Sequence, residues 1–287
     1  MEKLIYKGIS YSPEDLKEDY RRFSKDIESH NDFISSYMLA QSLETYDHGY
    51  SRAGNRIYAL HELLLTAKFS LYNSYKKIHD DLPDPNGNYL PHLLRRSHYL
   101  KNAIIWYSSC QDYVLQIVSL SYDLHGVQLT SAEKYKEALK NCSYRRVTKK
   151  LSRIDSENSL ELLHMIEEYG SDKDVEYLRE ELANNLKHHG NLKFKGIAVG
   201  NPGFYTEKDA QTGNTTYSSD WTESLIVDID EVNELIKRVH NLLVTHIREV
   251  LKFIDFEACI PTGEKKLIGE KRYWVTKEKH EYRKILC

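Results

Sequence analysis

The sequence predicts an all-α fold, an antiparallel helical bundle with a small β-hairpin inserted before the last long helix. Apolar residues recur at helical spacing through several long stretches, cap signatures stand at the starts of those stretches, and the links between them are short and polar. With 40% apolar and 29% charged residues among 287, the chain has the side chains to build a core that offsets chain entropy, which disordered chains lack.

Ser12, followed by Pro13 at the first helical position, opens a helix expected to run to about Tyr46. After a break at Asp47-His48-Gly49, a second long helix presents Ile57, Leu60, Leu64, Ala67, Phe69 and Leu71 as its apolar face. A loop from Asp81 to Asn88, rich in proline, glycine and aspartate, leads to the third helix, about His92 to Leu124. That helix repeats Leu100, Ala103, Ile104, Tyr107, Leu115, Val118 and Tyr122 at helical spacing, is expected to form the central rod, and is closed by Gly126. Ser131 starts a shorter helix to about Asn141, and another covers roughly Ser156 to Tyr169. Ser171 with Asp174 resembles a capping box for a helix from about Asp172 to His189, stopped by Gly190.

Beyond it the period changes. Leu192, Phe194 and Ile197, then Leu225, Val227 and Ile229, read as two short strands that pair as a hairpin around a loop rich in Gly, Asn, Thr and Ser. Asp228, with Glu231 three positions on, opens the last long helix, whose stripe holds Val232, Leu235, Ile236, Val239, Leu242, Leu243, Ile247, Val250, Leu251 and Ile254. Residues 1–260 are therefore read as one helical domain, with a core over about 50–256 and the N-terminal helices, 12–46, packed on it. Residues 261–287, holding eight Lys or Arg against four Glu, are read as a loosely ordered basic tail.

Several classes are excluded. A net charge of -3 argues against a surface given over wholly to nucleic acid, although local basic patches remain open. No apolar run nears the roughly 20 residues that span a bilayer, and the first 20 residues lack the apolar stretch of a secretory signal, so a cytoplasmic protein without membrane contact is expected. Cys110, Cys142, Cys259 and Cys287 form no close pair, His61-Glu62 is not part of an H-E-x-x-H motif, and no P-loop, dinucleotide fingerprint or G-x-S-x-G elbow occurs. Neither a metal nor a cofactor is expected.

The densest polar stretch is 183–193, where amides, a cation and two imidazoles meet a helix end. At about 100° per residue, Leu178, Leu182, Asn185 and His189 share one face and Asn184, Lys187, His188 and Asn191 another. Such a cluster suits a ligand site, an ordinary hydrogen-bond network or a solvated helix end. A second stretch, 144–153, carries Arg145, Arg146, Lys149 and Lys150 without an acid and could meet a phosphate backbone or remain a solvated basic turn.

Segment 102–116, then Ala183-Asn-Asn-Leu-Lys-His188, two strands, and Asp228-Ile-Asp-Glu-Val232 ahead of a long helix resemble a bacterial branch of the HEPN superfamily, over roughly residues 50–256. The resemblance implies a compact helical domain, often a homodimer, whose catalytic members are metal-independent ribonucleases of toxin, phage-defence and RNA-processing systems. The family motif is R-x4-6-H. Aligning its histidine with His188 puts Ala183 at the arginine, and aligning it with His189 puts Asn184 there, so the motif arginine is absent and Arg179 lies too far upstream in sequence. Cleavage through the ribose 2′-hydroxyl needs a base and positive charge near the phosphorane oxygens. The resemblance assigns His188 to the first role and Lys187 with Asn184 to the second, with Asn185, His189 and Asn191 as binding residues. Two outcomes follow: a HEPN-like protein that cleaves or only binds RNA or a nucleotide, and a noncatalytic module for a protein partner in a defence system.

Overall fold

The residues chosen for the central rod, from Leu100 to Tyr122, are all buried, and the helix that carries them is the axis of the molecule. A computed structural model describes residues 3–33, 48–189, 192–197, 204–208, 212, 215–219, 225–254, 261–268 and 271–276. The architecture is an all-α bundle: α1 (Pro13–Lys25), α2 (His48–Tyr75), α3 (Leu90–Ser121), α4 (Ala132–Lys140), α5 (Tyr144–Leu151), α6 (Glu157–Gly170), α7 (Lys173–Glu176) and α8 (Ile229–Lys252). α7 runs on into π-helical turns at Tyr177–Ala183 and Asn185–His189.

α2 and α3 form an antiparallel pair, with Arg56 over Tyr113, Phe69 against Tyr99 and Ser74 bonded to Arg96. The loop between them is pinned from inside. His92 Nδ1 accepts the His79 amide at 3.1 Å, which leaves Nε2–H to donate to the Pro83 carbonyl at 2.9 Å. α3 ends in a Schellman turn: Leu124 N–H reaches Ser119 O at 2.8 Å around a left-handed Asp123 (φ 53°), so the helix closes three residues before Gly126.

α8 lies across this pair. At one end Arg96, with 0% exposure, donates Nε–H to Ser74 O (2.8 Å), Nη1–H to the Tyr6 hydroxyl (2.8 Å) and Nη2–H to Asp230 (2.5 Å). Tyr6 belongs to a hairpin that periodicity did not reveal, β1 (Leu4–Tyr6) paired antiparallel with β2 (Ile9–Tyr11). Its two-residue loop, Lys7-Gly8, holds both residues at positive φ (50° and 80°), the geometry of a tight hairpin turn. Three-residue strands are too short to show alternation against background.

Several expectations are corrected. The first helix stops at Lys25 instead of running toward Tyr46; residues 34–47 lie outside the described residues. The reason is competition from α8: Asn241 takes Asp26 O and Glu28 N–H, Arg248 takes Ser29 O, and His240 takes Glu28 O. These long-range partners satisfy the backbone that a continuing helix would have used. Phe69 is 59% exposed and Leu242 lies at the edge of the packed face. α7 is capped by Asp172, which accepts from Asp174 and Val175 N–H, and not by Ser171.

The strands flanking α8's start also differ. β3 (Lys193–Phe194) and β6 (Ile226–Val227) do pair, but in parallel. The antiparallel hairpin is nested between them, β4 (Phe204–Lys208) with β5 (Thr215–Ser219). In the C-terminal region, β7 (Pro261–Ile268) and β8 (Lys271–Thr276) form an antiparallel pair where a loose tail was expected.

His30, His79, His240 and His246 are buried, and burial pushes each imidazole down from 6.5 to about 4. Below about pH 6.5 the unfolded chain takes up protons that the folded chain refuses, until the folded imidazoles protonate near pH 4. Stability should therefore fall as pH drops through that window, by up to about 1.4 kcal/mol per pH unit for each histidine. Asp230 acts lower: burial raises its carboxyl, but Arg96 and Lys7 outweigh burial and hold it at about 2, so its contribution is present above about 4 and lost toward 2. Urea midpoints at pH 7 and pH 5 measure the first effect. A lower midpoint at pH 5 is expected, and equal midpoints would contradict the buried neutral histidines.

Candidate functional site

The segment singled out by its amides and imidazoles lies on the widened continuation of α7, packed against the middle of α3. Leu178, Leu182 and Ala183 are buried and seat it there. Asn184 N–H bonds to Arg179 O, five residues back, so the turn is wider than an α-turn. In an α-helix, residues eight apart drift by roughly 80°. Turns that hold more than 3.6 residues reduce that drift and keep residues four apart stacked. Two stripes result.

The inner stripe is Arg179, Ala183 and Lys187, facing α3. Lys187 Nζ donates to Ser108 Oγ at 3.0 Å. One turn along α3 stands Asp112, which is exposed. Burial by the flanking helices raises its carboxyl above the ordinary range, and the charges of Lys187 and Arg179 oppose that rise. Arg179 is thus returned to the neighbourhood of Lys187, although nothing in the sequence spacing placed it there. The outer stripe is Glu180, Asn184 and His188. Asn184 Nδ2 donates to Glu180 at 3.1 Å, while His188 is exposed and meets no hydrogen-bonding partner among the described residues.

The two stripes separate the groups assigned to one phosphate. Lys187 turns inward to Ser108, His188 turns outward, and Asn184 is engaged by a carboxylate. Asn185 is also occupied, donating to the Glu181 carbonyl at 2.6 Å. The His189 side chain and Asn191 lie outside the described residues. Arg179 had been set aside as too far upstream in the sequence, and Ser108 and Asp112 were missed. Their signal was the i,i+4 spacing of Ser108 and Asp112 on a helix otherwise read only for its apolar face.

The basic stretch 144–153 is a helix rather than a turn. α5 buries Val147 and Leu151 and leaves Arg145, Arg146 and Lys149 exposed. Arg146 Nη1 donates to Asn141 at 2.6 Å. Lys150 is diverted: its ammonium caps the Leu124 carbonyl, closing the end of α3. Tyr144, in the first turn, packs on the corner between α6 and α7, where a Cβ on Gly170 would stand 3.4 Å from its ring. Burial and Glu167 raise the Tyr144 hydroxyl and Arg179 lowers it, which places the start of α5 within the field of Arg179.

Among the described residues no group of three or more His, Cys, Asp or Glu is arranged to hold a metal, and no helix is long and apolar enough to cross a membrane. Cys110 and Cys142 are buried free thiols, and Cys259 and Cys287 lie outside the described residues. The chain matches no family model, and comparison with curated proteins and with solved structures gave no match.

If Lys187 and Arg179 oppose the rise of the Asp112 carboxyl, Lys187→Met should move its titration to higher pH. Carboxyl-carbon NMR across pH 3–7 reads it; an Asp112 titration that stays in place would break the inner stripe.

Proposed function

We propose that this protein binds RNA through the surface formed by α5 and the widened end of α7, with Arg145, Arg146, Lys149 and Arg179 supplying the positive field and His188 the free imidazole. The observation that carries the reading is α5 itself: eight residues, no carboxylate, three exposed cations, and a first turn whose Tyr144 hydroxyl feels the charge of Arg179. Phosphate contacts of this kind give affinity without sequence preference. The choice of RNA rests on the HEPN resemblance of segments 102–116 and 183–188, and with it the bacterial defence, toxin–antitoxin or stress setting.

Binding is better supported than cleavage. A developing phosphorane needs charge beside the base, yet Lys187 and Asn184 are engaged by Ser108 and Glu180. A second reading, a homodimer or a protein-docking module, is favoured by exposed apolar side chains on one outer face: Tyr58, Leu65 and Phe69 on α2, with Trp106 on α3.

One set of measurements separates these readings. Fluorescence anisotropy with a labelled single-stranded RNA should show salt-sensitive binding, and replacing Arg145, Arg146 and Lys149 together by Ala should lower the magnitude of the log K against log salt slope by about 2. Leu65→Glu with Phe69→Glu should leave RNA binding intact. Metal-free incubation should leave the RNA whole; cleavage that vanishes in His188→Ala would restore the ribonuclease reading. An unchanged slope in the α5 variant would remove the RNA reading and leave the docking module.

A further inference from the structure

A separate cleft of about 650 Å³ opens between α1, the end of α2, the loop after it and the start of α3, away from the α5–α7 surface. Its size lies within the range of small-molecule sites, roughly 300–1,000 Å³. Three features define what would fit. Tyr20 and Tyr99 supply aromatic faces, and Tyr99 stacks on His79 with centroids 6.1 Å apart. His79 is only 8% exposed, and its buried Nε2 has no hydrogen-bonding partner among the described residues. A buried ring nitrogen left unpaired is unfavourable, so the cleft favours an occupant with a polar edge over a plain hydrocarbon ring.

The charges in the cleft are unevenly spent. Asp19 is taken by Lys77 at 2.5 Å and Tyr75 at 3.0 Å, and both oxygens of Asp81 are taken by Arg95 Nη1. Lys76 Nζ sits 5.4 Å from the centre of the Tyr20 ring with no carboxylate at ion-pair distance among the described residues. Arg95 keeps Nε–H and its second amino group without a protein acceptor among those residues. Against these stands Asp80, the lining carboxylate not already engaged. Lys17, Lys76, Lys77 and Arg95 against Asp19, Asp80 and Asp81 leave the lining one positive charge in excess, over an aromatic floor.

We propose that this cleft binds a nucleoside monophosphate, its base against Tyr20 and Tyr99 with an edge bonded to His79 Nε2 and its phosphate at Lys76 and Arg95. Stacking accepts any base because every base has a π-face. The cations are matched to one phosphate, not to a polyphosphate chain. The site stands independently of the RNA surface, since none of its residues belongs to α5 or α7.

Calorimetric titration of the full chain with AMP, adenosine and inorganic phosphate tests it. AMP should bind saturably at one site per chain, with adenosine and phosphate each at least about tenfold weaker. Lys76→Glu, an exposed position whose change should leave the unfolding midpoint in place, should weaken AMP at least about tenfold. The Arg145, Arg146 and Lys149 triple alanine variant should bind AMP normally. Displacement of AMP by a 5′-phosphorylated RNA oligomer would assign the bound group to an RNA end, and failure to displace it would assign it to free nucleotide; both retain the site. No saturable AMP binding up to about 10 mM, or binding unaffected by Lys76→Glu, would overturn it.

Discussion

The buried guanidinium of Arg96 is the interaction on which the arrangement of the other elements depends. A cation removed from water costs several kcal/mol unless its donors are met, and here they are met by four different parts of the chain. The end of α2 gives the Ser74 carbonyl, the N-terminal hairpin gives Tyr6, the α2–α3 loop gives Tyr89, and the start of α8 gives Asp230. Lys7 adds a second cation to Asp228 and Asp230. Moving any one of these elements would leave a buried charge short of partners. The carboxylates at the start of α8 are therefore anchors as well as helix-terminal charges.

With that end fixed, the rest of α3 becomes a platform. Its middle presents Ser108 and Asp112 one turn apart, and the widened helix after α7 answers with Lys187 and Arg179. A π-helical stretch exchanges optimal backbone geometry for a different alignment of side chains, and such stretches are often found at functional sites. Here the exchange puts charge inward and the imidazole of His188 outward. That division is why the geometry supports holding a phosphate backbone across a broad surface more readily than attacking one phosphodiester.

The bundle was legible because its long helices are read by period: the predicted faces of α2, α3 and α8 are the packed faces, apart from Phe69 and the edge position Leu242. Local signals failed where distant residues outvoted them. The N-terminal helix ends where Asn241, His240 and Arg248 claim the backbone, and the two-residue strands β3 and β6 pair in parallel because the chain between them forms its own hairpin. The candidate site was half legible. Its residue types drew attention to 184–188, but the α-helical angle that put Lys187 and His188 on one face is the wrong one for π turns, and Arg179 was set aside because it lies outside the spacing of the R-x4-6-H motif.

We propose that RNA lies along α5 and the end of α7. Ultraviolet cross-linking of a single-stranded RNA to the intact protein, followed by peptide mapping, tests it most directly. Cross-links concentrated in residues 144–153 and 177–189 are the predicted result, and cross-links confined to other segments, or none with protein in excess, would contradict it.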